Sequence, residues 1–545
     1  MASLELVLAM LLAVVSSGYL VRMLPFALPL PLVQIAMGAV IAGVLKHGVT
    51  LEPDIFFLLF LPPLLFLDGW RIPKEGLFRD KAVILELSFG LVLFTVVGAG
   101  FLIHWLLPML PLPVAFALAA IIAPTDPVAL TSITKRVPMP SRMLHILEGE
   151  SLLNDATGLV CFRFAVAAAV TGHFSLATAS LTFIWVALAG IASGVAVTAA
   201  IAGAQGFLVR RFGEESSSPI LINLLMPFGA YLVAETIGAS GILAAVAAGV
   251  TMSYVELRGR AQAATRLQRT AVWNTVQFTL NGVMFVLLGE QLPDIVRGAI
   301  GEPGTAAAIP PLWLVVNALA ISLGLMLLRF VWVWLSLRIS LFKARTMGHA
   351  DTTKPRFRLV LAVSLAGVRG GITMAGILTL PFVVASGAPF PGRHLAIFMA
   401  TAVIVVSLVL ASVALPRILP GLELPEDDKA SDEEDLGRRA AALAAMARLD
   451  SIEEMRDHQH PHAEIHENAL AHMQANYRHR LGGGAANSSD PEKMRVADDT
   501  EQRLRLAALQ AERDALTALV LEKKISDETG RKLIREVDLV ETRYR

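Results

Sequence analysis

Charge is scarce in this chain, and cysteine is nearly missing. Only 17% of the 545 residues are Asp, Glu, Lys or Arg, against 55% hydrophobic, and the mean hydropathy is +0.62. An ordinary soluble domain carries about 25% charge, so that class is excluded. The single cysteine, Cys161, rules out an intramolecular disulfide framework and reads as a small packing residue. No P-loop is present, so ATP is not the expected energy source. The apolar part holds no His/Cys cluster for a transition metal; no cofactor and no nucleic-acid partner is expected. The start MASLELVL lacks a basic n-region, so the first apolar run is predicted to be a helix and not a signal peptide.

Long apolar runs are what the chain has in quantity. Runs of about 17 to 30 residues, each long enough to cross a bilayer, number thirteen, centred near residues 12, 37, 61, 94, 123, 156, 193, 227, 247, 280, 326, 370 and 405. The expected fold is an all-α polytopic membrane protein over residues 1–420, followed by a polar, helical cytoplasmic tail over 421–545. Basic residues collect after odd-numbered spans: Arg22, the group Arg71 to Lys81, Lys135 to Arg142, Arg210 with Arg211, Arg258 to Arg269, and Arg338 to Arg358. By the positive-inside rule the N-terminus lies outside and the tail inside.

Three spans carry polar groups at membrane depth. In GESLLNDATG, at 149–158, Glu150, Ser151, Asn154 and Asp155 fall within a helical arc of roughly 140°. Ionisable groups there are expensive, so they should face a bundle interior and mark an ion or proton path. In the fifth span Pro124 and Pro127 bracket Thr125 and Asp126 and should unwind the helix, freeing carbonyls as cation ligands. The twelfth span is interrupted by Gly367, Gly370 and Gly371 around Arg369. A mid-span arginine needs an anionic partner; Glu150 is the choice, because Asp126 and Asp155 must stay free for an ion. If spans one to six and eight to thirteen are related units, both breaks occupy position five. Such a correspondence predicts two six-helix inverted repeats whose broken helices meet at a midplane site.

Asp155, Asp126, Ser151 and the Thr125 carbonyl are hard oxygen ligands suited to a small monovalent cation. A carboxylate withdrawn from water holds its proton more tightly, so proton and cation compete for one group, which is sufficient for gradient-driven exchange.

TDP at 125–127, GESLLNDATG at 149–158 and AGVRGGIT at 366–373 resemble the motifs of the first monovalent cation:proton antiporter family, which includes NhaP-type and eukaryotic sodium/proton exchangers. The resemblance spans roughly residues 1–420. It implies homodimers, each with a dimerisation part and a mobile core, that work by elevator-like alternating access. It also implies exchange of Na+, or of Li+ or K+, for H+ across the cytoplasmic membrane. By the same resemblance Asp155 is the principal carrier. The Thr125 backbone and Ser151 are further ligands, Asp126 and Glu150 act directly or through water, and Arg369 holds Glu150 in an ion pair. Asn154, where electrogenic relatives have a second aspartate, implies one cation per proton. A K+/H+ antiporter of the same fold is the alternative, and a gated channel lacks any recognisable filter segment here.

Other polar residues carry less. Asp68, at the end of the third span beside Trp70, is read as an interfacial cap, with a place in the cytoplasmic funnel as the alternative. Glu86, Glu235 and Glu290, close to span ends or short loops, are open to solvated, bundle-facing structural or transport roles; Glu148 is read as bordering the site and Arg163 as pairing with an acidic neighbour. In the tail, PEDDKASDEED at 425–435 reads as a solvated linker before an Ala-rich helix. His458, His460, His462 and His466 form a cluster open to three readings: a solvated surface, a pH sensor, or a divalent-metal site.

Overall fold

The computed structural model describes residues 2–23, 28–45, 53–72, 81–126, 130, 141–172, 176–213, 217–257, 263–300, 310–346, 357–384, 387–420, 428–454, 470–475, 477, 491–522, 524 and 527–541. The chain divides into two compact units, Met1–Leu424 and Pro425–Arg545. Among the described residues the secondary structure is helical, apart from one isolated bridge between Val383 and Pro389.

The first unit comprises α1 (Ala2–Met23), α2 (Leu30–Leu45), α3 (Pro53–Arg71), α4 (Lys81–Leu106), α5 (Leu112–Ile122), α6 (Ser141–Thr171), α7 (Leu176–Phe212), α8 (Ser218–Thr236), α9 (Gly241–Leu257), α10 (Ala263–Ile300), α11 (Pro311–Thr346), α12 (Phe357–Leu365), α13 (Gly371–Leu378) and α14 (Arg393–Ile418). Eight of these contain stretches long and apolar enough to cross a membrane, and shorter apolar helices include α2, α5 and α9. Their outward faces are hydrocarbon: Leu12 is 67% exposed, Trp105 74% and Leu312 73%. No aqueous surface would favour such faces, whereas lipid does.

Both predicted interruptions are present. Helix α5 stops at Ile122 and the chain is unwound from Ala123 to Asp126; α12 stops at Leu365, and Ala366 to Gly370 are non-helical before α13 begins. Sequence periodicity did not show that α4 contains a π-helical turn, Glu86–Leu91.

Helix pairing repeats itself. Helix α2 lies against α10, and α3 against α9. In each pair the helices close to backbone contact through reciprocal glycines: a methyl at Gly38 would overlap Val286 O and one at Gly289 would overlap Ile35 O, while Gly69 and Gly249 stand in the same relation to Val246 O and Phe66 O. Likewise α1 touches α2 and α10, as α8 touches α9 and α3.

The second unit contains α15 (Asp428–Glu454), α16 (Pro491–Leu521) and α17 (Asp527–Glu541). Residues 428–435 of the expected acidic linker are therefore helical. An acidic run is compatible with the N-terminal turns of a helix as well as with a solvated chain, and an Ala-rich stretch favours helix propagation. Arg513 of α16 holds α17 through Asp538, at 2.6 Å, and Glu541; those two carboxylates raise the affinity of its guanidinium for its proton. His458, His460, His462 and His466 lie outside the described residues.

Candidate cation site

The site forms where α6 passes the two breaks. Glu150, Ser151, Asn154 and Asp155 are all buried, none more than 4% exposed. The break after α5 is stitched to them. Ser151 Oγ donates to Thr125 O (2.7 Å), Asn154 Nδ2 donates to Thr125 Oγ1 (3.1 Å), and Thr125 Oγ1 donates to Glu150 Oε1 (3.4 Å). From the π-turn of α4, Ser88 Oγ donates to Glu150 O (3.0 Å). Thus a serine on another helix fixes the register of the polar face.

The two breaks also touch each other. The Asp126 amide donates to Val368 O (2.8 Å), joining one unwound segment to the other. A methyl at Gly370 would overlap the Asp126 carboxylate. The Gly370 backbone, φ −137° and ψ −153°, is extended and open to any residue, so it is the close approach that requires glycine there.

Arg369 does not pair with Glu150 as expected. It donates from Nε to Ile122 O (2.9 Å) and from Nη1 to Gly367 O, and its amide donates to Ser407 Oγ (3.2 Å). Ile122 is the last residue of a truncated helix, so its carbonyl lacks the partner a continuing helix would supply, and a cation at that end also meets the negative pole of the helix dipole. The partner of Glu150 is Arg329 of α11, in a bidentate pair with Nη1–Oε1 at 2.5 Å and Nη2–Oε2 at 2.7 Å. Sequence reasoning passed over Arg329. The signal was available: in LGLMLLRFVWVW it stands mid-span, and the rule applied to Arg369 applies equally to it.

Asp155 stands one turn beyond Ser151, buried, with no hydrogen bond to a described side chain, and Asn154 Oδ1 is buried without a partner among the described residues. A pair of acceptors with nothing to accept, beside a carbonyl freed from its helix, suits a desolvated small cation. Elsewhere, Arg163 pairs with Glu235 (3.3 Å), while Glu256 accepts from Trp70 Nε1 (2.7 Å) and Arg269 Nη1 (3.4 Å). These bonds link helices outside the break region.

The transmembrane sodium/hydrogen exchanger family profile matches residues 8–421. The chain belongs to this family. It is therefore a multi-pass membrane transporter of the cation/proton exchanger class and not an enzyme. It is 39% identical over 543 residues to the uncharacterised Na+/H+ exchanger YjcE of Escherichia coli, covering 98% of this chain and 97% of that one. It is 43% identical over 415 residues to a sodium, potassium, lithium and rubidium/H+ antiporter of Bacillus pumilus, covering 76% of this chain and 60% of that one. The fold matches that of the sodium proton antiporter MjNhaP1 from Methanocaldococcus jannaschii, with a TM-score of 0.58, 19% identity, and coverage of 77% of this chain and 99% of that chain.

Proposed function

We propose that this protein exchanges a monovalent cation, Na+ with Li+ and K+ as further candidates, for H+ across the cytoplasmic membrane, and that Asp155 is the group for which the two ions compete. The observation that carries this reading is the meeting of the two breaks beside a buried, uncommitted Asp155. Thr125 O, Ser151 Oγ and Asn154 Oδ1 supply neutral oxygens, Asp126 a second carboxylate, and the Glu150–Arg329 pair a fixed, internally neutral wall. The substrates named for the Escherichia coli and Bacillus relatives favour Na+ while leaving K+ open.

Electroneutral exchange follows from counting charge. The carboxylates of Glu150 and Asp126 together offset the two buried arginines, Arg329 and Arg369, and Asp155 is neutralised once by either a proton or a cation. The site then crosses the membrane uncharged in both loaded forms, which is the cheapest way to move it through a low-dielectric barrier.

The swapped helix pairs support two six-helix repeats of opposite orientation. Exchanging α2 with α9 and α3 with α10 turns the α2–α10 pair into the α9–α3 pair. With thirteen spans, the N-terminus faces outward and the tail is cytoplasmic. Rocking of the core that bears the breaks against the rest gives elevator-like alternating access, in a homodimer.

Proteoliposomes loaded with a pH dye test the proposal. External Na+ or K+ should dissipate an imposed proton gradient, Asp155→Ala should abolish this, and clamping the membrane potential at different values should leave the rate unchanged. A rate that follows the potential contradicts 1:1 exchange.

A further inference from the structure

Asp68 lies near the C-terminal end of α3, in a helix whose residues from Phe60 to Leu67 are all buried. At about 100° per residue, Phe60, Leu61, Leu64, Leu65 and Ile72 form one stripe with Asp68 close to its middle. Those five residues belong to the hydrophobic cluster that contains Ile121 and Ile122 of α5 and Leu152 and Leu159 of α6. The opposite side of α3, with Phe66 and Leu67, packs on Ala244 and Ala248 of α9 and Trp273 of α10. Asp68 is therefore on the face of α3 turned toward the break and the polar face of α6, which α3 contacts directly.

An aspartate at this depth should be neutralised by a cation nearby, and one is available one turn on. Arg71, however, is diverted: Nη1 donates to Gln277 Oε1 (2.8 Å) and Nη2 to Asn274 Oδ1 (2.5 Å), both on α10. Trp70 is bonded to Glu256 of α9. The neighbours of Asp68 thus anchor α3 to α9 and α10, while Asp68 itself has no ion pair among the described residues. It is half-buried, and the charged groups around it are Asp126, Asp155 and Glu148 together with Arg71.

We infer that Asp68 is an access residue, a carboxylate that captures the cation on the α3 C-terminal side of the membrane and passes it to Asp155. The inference rests on the exchange site described above. A partly hydrated cation at Asp68 keeps some water while exchanging the rest for carboxylate oxygen, so its dehydration is divided between two stations. A fixed negative charge at the rim of a low-dielectric recess also raises the local cation concentration, and this contribution falls as salt screens it.

The test measures Na+/H+ exchange in everted and in right-side-out membrane vesicles for wild type, Asp68→Asn, Asp68→Glu and Asp155→Asn, at low ionic strength and again with excess choline chloride. Size-exclusion profiles of the purified variants monitor folding. Asp68→Asn should raise the KM for Na+ about fivefold from the α3 C-terminal face only, leave the maximal rate within twofold, and lose most of its effect in high choline. Asp68→Glu should restore the wild-type KM. An unchanged KM for Asp68→Asn overturns the inference, as does a loss of rate that is equal on both faces, insensitive to salt and shared by Asp68→Glu, since that pattern marks a structural cap. If Asp155→Asn still exchanges normally, the site itself has been misassigned, a failure distinct from that of Asp68.

Discussion

Two glycines side by side in the second break make opposite demands. A methyl at Gly371 would meet the thioether end of Met284, a flexible group that can move aside, whereas at Gly370 it would meet the carboxylate of Asp126. Gly370→Ala should therefore reduce exchange to below about a tenth of wild type with the protein still folded, and Gly371→Ala should keep most of it. Initial rates in proteoliposomes check both. Arg329 and Glu150 form the other single-residue test. Removing one member leaves an uncompensated buried charge, so Arg329→Ala should lower the stability of the detergent-solubilised protein by about 3–5 kcal/mol. The Arg329→Gln, Glu150→Gln double variant should recover much of that, and thermal melts of both read it out. Glu150, Ser151, Asn154 and Asp155 were legible in the sequence because four polar groups on one face of an apolar segment admit few explanations. The correct partner of Glu150 was not legible. That choice depends on which arginine finds an unpaired carbonyl at a helix end, and the sequence does not show where the carbonyl of Ile122 points.

At the scale of elements, proline and glycine announced the two breaks, since each acts on its own stretch of backbone. The π-turn of α4 and the crossings of α2 with α10 and α3 with α9 were hidden, because they are contacts between segments far apart in sequence. The acidic start of α15 was misread as a linker for a related reason: a charge run suits a solvated chain and the first turns of a helix equally well. The glycine crossings carry a prediction. Gly289→Val places a branched side chain against the Ile35 carbonyl and must push α2 off α10, at a cost of at least about 1–3 kcal/mol. A lower melting temperature and a smaller folded fraction on size exclusion are expected. Gly43, around which a methyl has open space, is the control: Gly43→Ala should change neither.

At the scale of the molecule, the boundary at Leu424 separates the unit that holds every residue of the candidate site from the helical tail. Deleting residues 425–545 should leave cation KM unchanged, because no ligand is removed. The same variant tests the sensor reading of the histidines: an altered pH profile of exchange assigns the tail a sensing role, and an unchanged pH profile disposes of it. The central claim concerns Asp155 as the one group shared by cation and proton, and the KM for Na+ measured across a series of pH values tests it most directly. Competition predicts that, on the acid side, KM rises about tenfold per pH unit of acidification while the maximal rate extrapolated to saturating Na+ stays level. A KM indifferent to pH, with the maximal rate carrying the whole pH dependence, would mean that the proton binds elsewhere and would contradict the account.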